Sequence, residues 1–219
     1  MFQTKIFAVS SQGLPILSYV FGSTGPVALI LGGVHGDEPE GNYIALGLLK
    51  KWMQNFPYKL KVYLVPSFNI EGSLTAQRAN ANQVDLNRNL PTKNWTSQFK
   101  KERYHPGPKA CSEAENKHLV EWINNNPVKL ILSLHSWNPM INTNGNCLPE
   151  ASIMAKAIGY KLTDDIGYPT PGSLGDYCGL ERDIPVITYE AERGESIKQA
   201  LNKHVPAIEK ALFETEKRS

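Results

Sequence analysis

The sequence has few of the features that tie a fold together covalently or mark a large charged partner. Its three cysteines, Cys111, Cys147 and Cys178, are odd in number and show no Cys-x-x-Cys spacing. This argues against a disulfide framework and against a cysteine-based zinc site. Free thiols fit a reducing cytoplasm. No block of lysine or arginine is present, charged residues make up 20% of the chain and the formal net charge is +2, so an electrostatic footprint for nucleic acid is lacking. No apolar run approaches the roughly 18 residues of a membrane helix. Met1 to Gln12 also lack the basic start and apolar stretch of a secretory leader. The chain is therefore expected to be soluble and cytoplasmic, with a small-molecule partner rather than nucleic acid or membrane. What it does have is 41% hydrophobic residues over 219 positions, enough for one substantial core, and a single domain spanning 1–219 is expected.

Apolar patterning predicts alternating strands and helices. Thr4 to Val9 and Pro15 to Val20 read as a hairpin around Ser10-Ser11-Gln12-Gly13. Val27 to Leu31 is a continuous apolar run, as expected of a strand buried on both faces. Pro39 suits a first helical turn, and Ile44, Leu46, Leu48, Leu49 and Trp52 supply an apolar face. Leu60 to Val65 reads as a second strand. Ser67 to Leu90 is long, polar and without period, which predicts a functional loop. Ser112 and Glu115 form a capping-box pattern for a helix to about Asn125. Val128 to Leu134 and Pro185 to Tyr189 read as strands, Asn142 to Asn146 as a turn, Glu150 to Gly159 as a helix, and Tyr168 to Ser173 as a rigid loop. Ile197, Leu201, Val205, Ile208 and Leu212 predict a C-terminal helix, bent or restarted at Pro206. The fold class expected is α/β, a three-layer sandwich whose mixed, largely parallel central sheet is flanked by helices.

His35, His135 and Glu190 each follow an apolar strand. In open α/β sheets ligands bind outside the carboxyl ends of the strands. Two histidines and one glutamate make a known catalytic zinc set with one position left for water, and His35, Glu38 and His135 supply it. Glu190 is the candidate base for that water. Glu192, two residues on, shares a strand face with it, but Glu190 directly follows the apolar run. Arg78 is a candidate cation for the charge that develops on a carbonyl oxygen. Arg88 presents a planar fork suited to a carboxylate, with Asn87 beside it. Asp85 is placed to orient His35, since metal-bound histidines donate their second N–H to carboxylates. His105, His118 and His204 read as solvated, and Asp37 and Glu40 as charges of the turn and the first helical turn.

His35-Gly-Asp-Glu38, Arg78-Ala-Asn-Ala-Asn-Gln-Val-Asp85-Leu-Asn87-Arg88-Asn89, the strand-end His135 and Thr188-Tyr189-Glu190 resemble the zinc carboxypeptidases of the carboxypeptidase A superfamily. The strings Asn89-Leu-Pro-Thr-Lys-Asn-Trp95 and Gly167-Tyr168-Pro-Thr-Pro-Gly-Ser-Leu-Gly-Asp176-Tyr177 narrow the resemblance to its bacterial murein peptide amidase branch. The resemblance runs from about Leu29 to Glu190. It implies one zinc ion per chain on His35, Glu38 and His135, Glu190 as general base, Arg78 at the oxyanion, and Asn87 and Arg88 on a free carboxylate. It also implies Tyr168 as a mobile hydroxyl on the substrate side. The implied reaction is hydrolysis of the bond between γ-D-glutamate and meso-diaminopimelate in recycled cell-wall peptides. Asp176 is a further candidate, for the distal ammonium of diaminopimelate. The sequence departs from the family at Asn69-Ile70-Glu71-Gly72, where Asn-Pro-Asp-Gly is usual, and at Leu90, where an aromatic is common. It departs again at Glu192-Arg193-Gly194-Glu195, where related chains are more apolar. Two other readings remain open: a zinc amidohydrolase of N-acyl amino acids, akin to the aspartoacylases, and a zinc-free module that captures peptides.

Overall fold

The computed structural model describes residues 2–218. Its frame is one eight-stranded sheet in the order β1-β2-β4-β3-β5-β8-β6-β7. The strands are β1 (Phe2–Val9), β2 (Pro15–Phe21), β3 (Val27–Leu31), β4 (Lys61–Val65), β5 (Val128–Trp137), β6 (Met140–Asn144), β7 (Lys161–Thr163) and β8 (Val186–Glu192). Strands β4, β3, β5 and β8 run parallel at the centre, while β2 joins β4 and β6 joins β8 antiparallel. The helices are α1 (Pro39–Gln54), α2 (Ile70–Thr75), α3 (Ala114–Asn125), α4 (Leu148–Ile158) and α5 (Ile197–Lys217).

Two-fold alternation along the central strands creates the three layers. On β3, Ala28 and Ile30 join a core with Ile44, Leu48, Met154 and Ile208 from α1, α4 and α5. Val27, Leu29 and Leu31 point the other way, into a core with Leu119 and Ile123 of α3 and with Leu174 and Tyr177. Each fully buried leucine or isoleucine contributes about 1.5–3 kcal/mol of transfer free energy. All five residues of β3 are buried, which is why this strand reads as an unbroken apolar run.

Several local expectations are corrected. The stretch 67–90 is not structureless: Asn69 caps α2 by accepting from the Gly72 N–H at 3.0 Å, and Leu86–Arg88 forms a short 3-10 turn capped by Asp85. The Ser112 and Glu115 pair is not a capping box. Ser112 Oγ donates to Glu113 instead, and the Glu115 carboxylate accepts from Ser11 at 2.9 Å. Asn142 to Asn144 belong to strand β6, because β8 supplies them an antiparallel partner that a turn-like sequence cannot reveal. A turn of π-helix at Gly175–Leu180 and the short β7 carried no periodic signal. Helix α5 runs through Pro206 as one element. Pro206 and Asn202, whose carbonyl loses its helical partner to the proline, are both exposed, so the proline falls on the solvent side of the helix, where the lost bond costs least. His204 is fully buried rather than solvated, held between the Tyr189 hydroxyl at 2.7 Å and Glu195 at 2.6 Å. Among the described residues, no helix is long and apolar enough to cross a membrane.

Candidate active site

The chain leaves β3 for β4 on one side and takes up β5 on the other. The crevice beyond the ends of β3 and β5 is therefore a switch point of the sheet. The turn after β3 is stitched to the segment after β4, since Phe68 and Asn69 donate backbone N–H groups to Gly32 and Gly33 at 2.8 Å. Gly36 is required at its place. A β-carbon there meets the Gly72 carbonyl carbon at 1.9 Å, so the turn carrying His35 lies directly on α2. Gly36→Ala is expected to cost about 1–3 kcal/mol through overpacking. For a chain of this size that is a fall in Tm of roughly 2–12 °C, read by calorimetry.

Glu38 occupies the N-cap of α1, where an acid ordinarily caps the helix, yet its carboxylate makes no cap. It turns inward to His135 Nδ1 at 2.8 Å and His35 Nδ1 at 3.0 Å. The two Nδ1 atoms lie 3.1 Å apart. Each ring is held from behind, His35 Nε2 by Asp85 Oδ1 at 3.1 Å and His135 Nε2 by Ser133 Oγ at 2.9 Å. Asp85 accepts at Nε2, which leaves the His35 Nδ1 lone pair directed at the other two side chains. All three residues are at least 95% buried. Two imidazole nitrogens and a carboxylate oxygen thus lie within 4.8 Å of one another.

This set fits a divalent cation on its own chemistry. Burial pushes the Glu38 carboxyl up, but the two histidines outweigh it and hold its pKa well below the ordinary range. The set also already faces a positive group, the Arg78 guanidinium, whose Nη1 is 3.1 Å from His35 Nδ1 and 3.2 Å from Glu38 Oε1. Arg78 is aimed by Asp85, which accepts from its Nε at 2.9 Å. Asp85 is fully buried; burial raises its pKa, and Arg78 and His35 overcome that and lower it. One carboxylate thereby orients both a candidate ligand and the candidate oxyanion cation.

Glu190 pairs with His135 across β5 and β8, which puts both side chains on one face of the sheet. Its Oε2 is buried and has no hydrogen-bond partner among the described residues. Burial pushes its pKa up to about 7, with Glu38 adding to the rise against the pull of His135 and Arg78. Glu192 stays exposed at the end of β8 and is not among the side chains that line the cleft.

The cleft holds about 300 Å³ and brings together His35, Glu38, Arg78, Asn87, Arg88, His135, Tyr168 and Glu190. Asn87 Oδ1 accepts from the Leu174 N–H at 2.8 Å, which leaves its amide nitrogen for the cleft. The Arg88 guanidinium lies over the Tyr104 ring at 5.4 Å, and Tyr168 stands edge-on to Trp137 at 5.9 Å. Asp176 is not brought to the cleft lining. Its Oδ2 accepts from Asn94 at 2.7 Å, and of its neighbours only Ser173 and Gly175 reach the lining. Glu40 is more than a helix charge, because its buried carboxylate takes the Ser136 hydroxyl at 2.5 Å and the Gly194 N–H at 2.7 Å. Trp137, Asn142, Asn144, Arg103 and Tyr104, which the sequence does not mark for a role, also line the cleft, as does Arg193 from the stretch where the chain departs from the family. Trp137 was accessible from the sequence, two residues past His135 on the same strand face. Arg103 and Tyr104 come from a segment with no period to read.

Comparison with known proteins agrees with this geometry. A family model described as zinc carboxypeptidase matches residues 3–204. Murein peptide amidase A of Vibrio campbellii is 34% identical over 196 residues, covering 82% of this chain and 75% of that protein. The protein of the same name from Escherichia coli K12 is 31% identical over 179 residues, covering 74% and 69%. Among solved structures, the murein-tripeptide amidase of Escherichia coli O157 superposes with a TM-score of 0.77 at 26% identity, over 95% of this chain and 91% of that one. Bovine thrombin-activatable fibrinolysis inhibitor, solved with a tick carboxypeptidase inhibitor, gives 0.82 at 17% identity over 100% and 92%, a likeness of fold alone. On the family match, the relatives' identity and the coverage of both, this chain belongs to the zinc carboxypeptidase family.

Proposed function

We propose that this enzyme hydrolyses the amide between γ-D-glutamate and meso-diaminopimelate in murein peptides, with one zinc ion held by His35, Glu38 and His135. The observation that carries the reading is the register of β5 and β8. It sets a Glu190 carboxylate whose Oε2 has no hydrogen-bond partner among the described residues beside a buried His-Glu-His donor set, in a chain whose relatives over most of its length are named murein peptide amidases. A bound zinc ion supplies Lewis acidity and lowers the pKa of water toward ~7.

The side chains do the rest. Glu190 takes the proton of the attacking water on Oε2 and returns it to the leaving amine nitrogen, whose bond to the carbonyl carbon then breaks. Arg78, fixed by Asp85, faces the carbonyl oxygen as its charge grows. Asn87 and Arg88 hold the carboxylate that the diaminopimelate residue carries beside the scissile amide, and Tyr168 closes that end of the cleft beside Trp137. The unpaired cysteines Cys111, Cys147 and Cys178 support a reducing compartment, the cytoplasm, and hence free recycled peptides as substrate.

Two outcomes test this reading. The tripeptide L-alanyl-γ-D-glutamyl-meso-diaminopimelate is expected to release diaminopimelate, while N-acetyl amino acids remain intact. The opposite preference reassigns the enzyme to the amidohydrolases of N-acyl amino acids. The base also sets a pH limb. Glu190 acts only when deprotonated, so kcat/KM falls tenfold per unit below its pKa, and the charge of a bound cation moves that limb down from about 7. A profile of kcat/KM against pH is expected to show its acid limb at or below pH 7, shifted or abolished in Glu190→Gln.

A further inference from the structure

One strongly cationic part of the cleft has no role in the chemistry just described. Arg103 and Arg193 line the opening on the side of the turn that carries His35 and Glu38. Their guanidinium groups flank Asp37, with Nη2 atoms 3.6 and 3.7 Å from its Oδ2. Arg193 Nη2 is also 3.6 Å from Glu38 Oε1. These separations are too long for hydrogen bonds, and among the described residues neither guanidinium donates one. Arg78, by contrast, is fully engaged by Asp85, His35 and Glu38, and Arg88 donates to the Asn87 carbonyl at 2.6 Å.

The backbone under Arg193 is built rather than loose. Its N–H donates to the Trp137 carbonyl at 3.3 Å. The next residue, Gly194, has φ +90°, a value side chains disfavour, and donates its N–H to the buried Glu40. Beyond it, Glu195 is held by His204 at 2.6 Å and Lys203 at 2.8 Å. Buried groups on both sides thus fix a turn whose exposed cation stands beside Asp37 and Glu38 with no hydrogen bond from its planar fork among the described residues.

We propose that Arg193, with Arg103 beside it, binds a free carboxylate on the acyl side of the scissile amide. The inference rests on the reaction proposed above. A glutamyl residue linked through its side chain keeps its α-carboxylate free, and an ordinary peptide bond leaves none at that position. The Arg88 guanidinium lies over the Tyr104 ring, whereas the Arg193 guanidinium lies against Asp37 and Glu38, with Arg103 between them, over the same Tyr104 ring and 3.6 Å from Asp37; the Arg193 fork is therefore the one assigned to the acyl side. A carboxylate seated at Arg193 also displaces that cation from Asp37 to a partner it can grip in bidentate fashion.

The test compares two substrates that differ in one group: the γ-D-glutamyl-meso-diaminopimelate peptide with its glutamyl α-carboxylate free, and the same peptide with that group as a carboxamide. The wild-type enzyme is expected to favour the free acid by about tenfold or more in kcat/KM, the scale of a charge-assisted pair. Arg193→Gln is expected to bring that ratio within about twofold of unity, and Arg103→Gln to lower it less. Zinc content and melting temperature, measured on each variant, are expected to match wild type. A wild-type enzyme indifferent to the amidation, or an Arg193→Gln enzyme that keeps the full preference, overturns the inference and leaves the proposed reaction standing. Failure of the wild-type enzyme to cleave either peptide removes the proposed reaction, and this inference with it.

Discussion

Glu190→Gln is expected to lower kcat by about 10²–10⁴-fold while leaving zinc content and folding intact. The amide keeps the shape of the carboxylate but cannot accept a proton from water. Its surroundings make the substitution well tolerated in the fold, because Glu190 Oε2 has no hydrogen-bond partner to lose among the described residues. A carboxylate with a pKa of about 7 also stands in a protein at an energetic cost, since burial disfavours its charged form. Relief of that cost predicts that Glu190→Gln melts no lower than the parent enzyme and loses almost all turnover. Glu192→Gln, at an exposed strand end outside the cleft, is the matched control and is expected to turn over substrate at the parental rate. Single-turnover kinetics on both variants check this pair. If Glu192→Gln is the dead enzyme, the roles of the two glutamates are reversed.

The second large effect concerns the metal. His135→Ala removes one of three buried donors and leaves Glu38 without its partner at 2.8 Å. The purified variant is expected to carry well under one zinc per chain by elemental analysis, with hydrolysis at background. Asp85→Asn is subtler. Asp85 touches both His35 Nε2 and Arg78 Nε, so its loss weakens the orientation of a ligand and of a cation at once. Zinc affinity is expected to fall about 10–100-fold, the usual scale for removing a carboxylate behind a ligating histidine. Activity at saturating zinc is also expected to stay below wild type, because Arg78 is no longer aimed. Full recovery of activity at high zinc limits Asp85 to its contact with His35.

Much of the site was legible from sequence because it depends on strand ends. An apolar run marks a buried strand, and the residue that leaves such a run in an α/β sheet stands at the mouth of the crevice. His35, His135 and Glu190 are picked out in this way and all three line the cleft, and Val27 to Leu31, Val128 to Leu134 and Pro185 to Tyr189 fall on parallel neighbours. The errors come from structure that sequence neighbours do not encode. Asn142 and Asn144 look like turn residues, and only the β8 edge makes them a strand that delivers them to the cleft. His204 lies in a helix with a polar sequence, and its burial depends on Tyr189 and Glu195 meeting it across the fold. Asp176 follows a motif that borders the cleft, yet the π-helical turn that contains it directs its carboxylate to Asn94. Arg103 reaches the opening from a segment whose sequence shows no period at all.

The pairing of Arg78 with Asp85 has a further consequence. In this arrangement the guanidinium touches both Glu38 and His35, so the cation proposed for the carbonyl oxygen stands against the proposed ligand set. On that proposal, binding of a divalent ion and binding of substrate are linked through one side chain. Arg78→Lys shortens the planar fork to a point charge, and it disturbs Asp85 and Glu38 together.

The most direct measurement is mass spectrometry of the products formed from L-alanyl-γ-D-glutamyl-meso-diaminopimelate by the enzyme as purified, after chelation, and after return of one equivalent of zinc. The predicted result is L-alanyl-γ-D-glutamate and free diaminopimelate, lost on chelation and restored by the single equivalent. Cleavage that persists without metal, or release of alanine in place of diaminopimelate, contradicts the account.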